Sequence, residues 1–181
     1  MIYVFLADGF EETEAIAPID ILRRANCDVV TVGIKNDGVR SSHGISVLCD
    51  ITDMQVELDE RLEMIVLPGG MPGTLNLEQN KVVQASIDYC VSKNIPIGAI
   101  CAAPSILGKK GYLAGREVIC FPRFEKFLEN ARLSENKVVT DGIFTTAAGA
   151  GVAVEFGLEL VRVLRGKELS DDIRAAIQCV N

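Results

Sequence analysis

The sequence predicts an α/β fold in which a mostly parallel sheet carries helices on both faces. Short apolar runs alternate with stretches of helical periodicity along the chain. Three of those runs, Ile2–Ala7, Met64–Leu67 and Ile97–Ile100, are continuously apolar rather than alternating, as strands covered on both faces require. No Pro/Gly/Ser linker or internal repeat divides the 181 residues, so one domain spanning 1–181 is expected.

The elements follow in order. A strand over Ile2–Ala7, a helix from about Glu12 to Ala25 and a strand over Asp28–Gly33 make a βαβ opening. Further strands are expected at Ile45–Leu48, Met64–Leu67, Ile97–Cys101, Val118–Cys120, Val138–Thr140 and Ile143–Thr146, with Asp141-Gly142 as a hairpin turn. Helices are expected at Lys81–Ser92, Ala103–Lys109, Gly151–Leu164 and Ser170–Gln178. Each carries apolar residues three or four apart, such as Val83, Ile87, Cys90 and Val91. Ligands of such a fold lie outside the carboxyl ends of the strands.

Composition narrows the function. Hydrophobic types make up 49% of the chain, enough for a core. Eighteen Lys and Arg against 25 Asp and Glu leave a net charge of −7, which opposes the phosphate-neutralising surface an obligate nucleic-acid partner needs. No run approaches the roughly 20 apolar residues of a membrane span. The opening Met1–Leu6 lacks the flanks of a signal peptide, so a cytoplasmic protein without membrane association is expected. The six cysteines, at 27, 49, 90, 101, 120 and 179, contain no C-x-x-C and read as free thiols. With His43 the only histidine and no cysteine pair at ligand spacing, no metal is expected. No cofactor is expected either: Gly149-Ala-Gly-Val-Ala-Val154 lacks the third glycine of a dinucleotide fingerprint.

Three segments carry chemistry. In Ile95-Pro-Ile-Gly-Ala-Ile-Cys101-Ala-Ala-Pro-Ser105 a thiol sits where a buried strand meets a helix. A sharp turn there exposes the central side chain, and the helix N-terminus favours thiolate, making Cys101 a candidate nucleophile; a small apolar filler is the competing reading. In Leu67-Pro-Gly-Gly-Met-Pro-Gly73 the amides of Gly69 and Gly70 are placed to approach an anion, or simply to form a tight turn. In Asp8-Gly-Phe-Glu-Glu-Thr-Glu14, acids in the first helical turn complement the macrodipole, and one turned inward gains a raised pKa and can donate a proton. His43 reads as a solvated loop residue. Cys120 reads as a buried strand residue, with a resolving thiol as the alternative.

The ordered set Gly9-Phe-Glu-Glu-x-Glu14, Leu67-Pro-Gly-Gly70, Ala99-Ile-Cys-Ala-Ala-Pro104 and Phe121-Pro122, followed by a glycine-rich helix start, resembles the ThiJ/PfpI superfamily. Within it the chain is similar to the DJ-one branch, which includes the Parkinsonism-associated protein deglycases and bacterial YajL-type proteins. The resemblance spans nearly the whole chain and implies a flavodoxin-like sandwich, usually a homodimer. It also implies Cys101 as the reactive cysteine, Glu14 as a buried acid bonded to its sulfur, Gly70 and Ala102 amides as an anion pocket, and Phe121 and Pro122 as pocket lining. Three departures stand out. A His-Pro pair of some members is Phe121-Pro122 here, a Ser-Arg-Gly segment is Ser42-His43-Gly44, and a polar late loop is Ala147-Ala-Gly-Ala-Gly-Val152. The first removes an imidazole base, which argues against a Cys-His dyad, against a glyoxalase assignment carried over from His-bearing relatives and against peptidase chemistry.

The expected function is repair of small carbonyl adducts or glycated protein side chains, deglycase-type chemistry on glyoxal or methylglyoxal products at Cys101. The alternative is a redox sensor or stress chaperone in which Cys101 is oxidised to sulfinate without turnover.

Overall fold

The computed structural model describes residues 1–179; residues 180 and 181 of the expected domain lie outside the described residues. The strands are β1 (Ile2–Leu6), β2 (Val29–Gly33), β3 (Gly38–Arg40), β4 (Ser46–Leu48), β5 (Ile51–Thr52), β6 (Met64–Leu67), β7 (Ile97–Ile100), β8 (Glu117–Val118), β9 (Arg132–Leu133), β10 (Val138–Asp141) and β11 (Phe144–Ala147). The helices are α1 (Glu12–Arg24), α2 (Gly73–Gln79), α3 (Lys81–Lys93), α4 (Pro104–Lys109), α5 (Ala153–Arg165) and α6 (Lys167–Ala176).

Seven strands form the main sheet in the order β10-β11-β7-β6-β1-β2-β5. All neighbours are parallel except β10 and β11, an antiparallel hairpin closed between Asp141 and Phe144. The run β2-β1-β6-β7-β11 is the flavodoxin-like order, with its switch point between β1 and β6. The β1–α1, β6–α2 and β7–α4 turns therefore open on one edge.

Two cores flank the sheet, and β1 feeds both. Ile2, Val4 and Leu6 enter the layer under α1, α5 and α6, while Tyr3 and Phe5 enter the layer under α3 and α4. That is the period-two alternation of a strand buried on both faces. Capping fixes the helix starts. Asn80 Oδ1 accepts from the Val82 and Val83 amides at α3, and Glu11 Oε2 accepts from the Glu14 amide at α1.

Two expected strands lie outside the main sheet. The Ile45–Leu48 run is β4, paired with β3 in a separate ribbon whose Leu48 side chain faces solvent. The Val118–Cys120 run shortens to β8, paired with β9, because the Ile119 amide turns to Thr146 Oγ1. The short helix α2 and strands β3, β5 and β9 were not expected from the sequence.

Candidate active site

Three neighbouring acids at the start of α1 have three different fates. Glu11 caps the helix through the Glu14 amide at 2.7 Å. Glu12 pairs with His43 Nδ1 at 2.9 Å, on the exposed side. Glu14, two residues further on, turns inward and is 1% exposed. Its Oε2 accepts the Gly69 amide at 2.9 Å, and the Ala150 amide also hydrogen-bonds the carboxyl. Pro18, four residues on, has no N–H to give the Glu14 carbonyl, which loosens the helical ladder at this turn.

Cys101 follows β7 directly and occupies the left-handed region at φ 63°. A non-glycine residue held there is strained and persists only where its surroundings over-determine it. Here the Cys101 amide donates to the Ala147 carbonyl at 2.8 Å, and the Cys101 carbonyl accepts the Phe121 amide at 2.8 Å. The chain is pinned on both sides, and the half-buried side chain projects at the strand-to-helix bend. The Ala102 and Gly70 N–H groups are directed at its sulfur, and the thiol hydrogen-bonds Glu14.

Glycine is required at the crossing. A Cβ on Gly69 would sit 2.6 Å from Glu14 Oε2 and 2.7 Å from Cys101 Cβ. Gly70 adopts φ 90°, and a Cβ there would meet the Glu11 amide nitrogen at 2.3 Å. The Gly69 amide is spent on Glu14, so Gly69 holds the acid rather than facing an anion as expected. Gly70 and Ala102 keep the amides that face the sulfur.

The electrostatics correct a second expectation. Burial pushes the Glu14 carboxyl up to about 7, against the opposing pull of the Cys101 thiol and of the Gly69 and Ala150 amides. Burial likewise pushes the Cys101 thiol well above its ordinary range; the Glu14 charge and hydrogen bond add to this, and the Ala102 and Gly70 amides oppose it. The helix N-terminus was expected to lower the thiol, but α4 has only six residues and desolvation outweighs it. The two groups titrate as a pair: one proton leaves near neutrality, and its charge holds the second in place. The resulting anion sits on Glu14, and the remaining proton stays on the Cys101 sulfur.

The remaining expected residues divide. The Phe121 ring is 48% exposed and borders the site: a Cβ on Gly149 would lie 3.4 Å from that ring and 3.8 Å from Glu14 Oε1. Pro122 is exposed beyond it. Cys120 packs in the α3/α4 core with burial pushing its thiol up to about 12, whereas Cys101 packs toward the α1/α5 core. Glu11, Glu12 and His43 bring ligand atoms within 4.8 Å of one another, but Glu11 already caps α1 and Glu12 is paired with His43. Among the described residues no helix is long and apolar enough to cross a membrane.

The model of the DJ-1/PfpI family matches residues 1–163. The chain belongs to that family. Protein dj-1beta of Drosophila melanogaster is 34% identical over 173 residues, covering 94% of this chain and 92% of that protein. A Caenorhabditis elegans protein named glutathione-independent glyoxalase DJR-1.2 is 30% identical over 165 residues, covering 90% of this chain and 87% of that protein. The structure of oxidised Toxoplasma gondii DJ-1 superposes with a TM-score of 0.94 at 31% identity, covering 99% and 98% of the two chains.

Two features of this DJ-1/PfpI site escaped sequence reasoning. The Ala150 amide on Glu14 comes from a loop 136 positions away in the chain, signalled only by the glycine-rich run before α5. The pinning of Cys101 by Ala147 and Phe121 is a backbone effect that no side chain announces.

Proposed function

We propose that this chain is a cysteine-dependent enzyme that repairs reactive-carbonyl adducts of the glyoxal and methylglyoxal type, with deglycase-type chemistry at Cys101. The observation that carries this reading is the Cys101 thiol held at the strand-to-helix bend against the buried Glu14 carboxyl, beside the Gly70 and Ala102 amides. Ionised Glu14 takes the Cys101 proton, which makes the sulfur the nucleophile.

On a hemithioacetal, Cys101 Sγ bonds to the aldehyde-derived carbon as that carbon's bond to the donor thiol breaks, and the departing sulfur takes the Glu14 proton. Ionised Glu14 then removes the hydrogen of that carbon, while the two amides hold the enediolate oxygen. Return of the proton to the neighbouring carbon leaves a 2-hydroxyacyl thioester, which water cleaves to a 2-hydroxy acid and the free Cys101 thiol. One carbon is oxidised as its neighbour is reduced, so no external oxidant is needed. A free 2-oxoaldehyde enters the same sequence by addition, in line with the name of the nematode relative. Cys101→Ser is expected to reduce hydroxy-acid formation from a methylglyoxal hemithioacetal to the buffer rate; equal rates for variant and wild type overturn the proposal.

A second reading is favoured by exposure. Cys101 and Cys179 are the described cysteines that are not fully buried, and amides with a proton-bearing acid suit the oxygens of a sulfinate. In this reading mild peroxide adds two oxygens selectively at Cys101, detected by mass spectrometry. Uniform oxidation of several thiols counts against it.

The working form we propose is a cytoplasmic homodimer. Ile16 on α1 and Ile45 and Leu48 around β4 are exposed, and the Glu12–His43 pair brings those two segments together. Sedimentation at the mass of one chain would overturn it.

A further inference from the structure

Strand β11 reads Phe-Thr-Thr-Ala, and all four residues are buried. Two consecutive hydroxyls in such a strand are costly unless each finds a partner. Side chains alternate along it: Phe144 enters the layer under α3 and α4 and Ala147 the layer under α1 and α5, so Thr146 shares the face of Phe144 and Thr145 that of Ala147. Thr145 Oγ1 meets Thr140 Oγ1 at 3.0 Å, a bond that stays within the β10–β11 hairpin. Thr146 is fully buried, and its Oγ1 instead accepts the Ile119 amide at 3.0 Å, on the segment that leads from β8 to Phe121.

Valine has the shape of threonine and suits a hydrocarbon layer better, so what the hydroxyl adds at position 146 is that one acceptor. Its placement bears on the thiol. The Ile119 and Phe121 amides lie two residues apart on one segment: Thr146 holds the first, and the second donates to the Cys101 carbonyl at 2.8 Å. The Cys101 amide in turn donates at 2.8 Å to the carbonyl of Ala147, the residue after Thr146. Consecutive residues of β11 thus grip both sides of the residue held at φ 63°. Of these three bonds, the one at Thr146 is made by a side chain, and the other two run from backbone to backbone.

We infer that Thr146 is a positioning residue for Cys101: by tethering the Ile119–Phe121 segment, its hydroxyl keeps the Cys101 carbonyl tied and the thiol at the left-handed bend, against Glu14 and the Gly70 and Ala102 amides. Without the tether the Phe121 amide is free to leave the Cys101 carbonyl, the strained residue relaxes, and the thiol moves away from the carboxyl that takes its proton. The inference rests on Cys101 as the reacting group of the proposed carbonyl repair, and on no particular aldehyde.

The test follows two readouts in the wild type, Thr146→Val, Thr146→Ser and Thr145→Val, with thermal melting of each. One is the pH dependence of Cys101 alkylation by iodoacetamide, read by peptide mass spectrometry; the other is hydroxy-acid formation from a methylglyoxal hemithioacetal. Thr145→Val is the control, since it removes the neighbouring hydroxyl from the other face of the same strand. Wild type, Thr146→Ser and Thr145→Val are expected to show alkylation rising through about pH 7, as Glu14 ionises against the Glu11 charge. Thr146→Val is expected to lose that step, its alkylation rising instead toward the free-thiol range near about 8.5. Its kcat should fall roughly tenfold while KM stays within about threefold. A wild-type profile and kcat in Thr146→Val, an equal shift in Thr145→Val, or loss of the step in Thr146→Ser overturns the inference. Thr146→Ala, which leaves room for a water at the Ile119 amide, carries the same comparison where Thr146→Val does not fold. If the wild type forms hydroxy acid no faster than Cys101→Ser, carbonyl repair falls, and the alkylation profiles still decide the role of Thr146.

Discussion

The elbow around Cys101 and the seam between α1 and α5 are both built on glycines, and the glycines serve opposite ends. At the seam, a Cβ on Gly157 would lie 2.8 Å from Ile21 Cδ1 and 3.1 Å from the Pro18 Cα, so its absence lets two helices touch through hydrocarbon. At the elbow, the missing Cβ of Gly69 lets a carboxylate and a thiol meet. The seam gains dispersion and burial. The elbow accumulates a positive φ, a desolvated acid and a desolvated thiol, each of them destabilising. Helix α1 belongs to both, since its first turn carries Glu14 and its middle carries Pro18 and Ile21. Stability collected along the seam is what holds the acid in a place it would not choose alone.

That contrast can be broken most directly at Gly69. Gly69→Ala is expected to abolish turnover and to lower the unfolding free energy by about 1–3 kcal/mol, read by urea melts alongside hydroxy-acid formation. A fully active variant would mean the crossing is looser than described.

Glu14→Gln separates charge from shape. In the wild type the rate is expected to rise through about pH 7 as the Glu14 carboxyl ionises; in the variant the rate should be low and flat. Stability moves oppositely. Because folding raises this pKa from 4.5 to about 7, its stabilising contribution is complete below about pH 4.5 and is lost as pH climbs through about 7. At about 1.4 kcal/mol per pH unit, that loss is about 3 kcal/mol. Urea melts of the wild type between pH 5 and 8 should show it, and the variant should not.

Gly157→Ala tests the other region. The methyl must displace Ile21, and about 1–2 kcal/mol of stability should be lost, while kcat/KM stays within about threefold because α1's first turn keeps its cap. A proportionate fall in turnover would show that seam and elbow are not separable. His43→Ala should matter least: its partner Glu12 is an exposed-side acid whose carboxyl is held below its usual range mainly by hydrogen bonds, including one from its own backbone, and kcat/KM should change less than about twofold.

The parallel sheet was legible because strands buried on both faces leave unbroken apolar runs, as Met64–Leu67 does to the residue. Helix α2 was not, since seven residues with two leucines carry too little periodicity to register. The Ile45–Leu48 run was visible as a strand, but nothing local told it to leave the main sheet for a ribbon with β3. At the site, Cys101 and Glu14 were legible from the bend and the inward acid. The direction of the thiol's titration was not: helix-end reasoning weighs one nearby dipole, whereas burial and the facing carboxyl are set by residues 87 positions apart in the chain. The same distance hid the diversion of the Gly69 amide to Glu14.

The first strand, with odd and even side chains committed to different layers, works as a register mark for the whole protein. Deleting one residue among Ile2–Leu6 would send each side chain beyond the cut to the opposite layer and drag the start of α1 along by one position. Substitutions there trade one hydrocarbon for another; a change of length would unpack both layers in a single event.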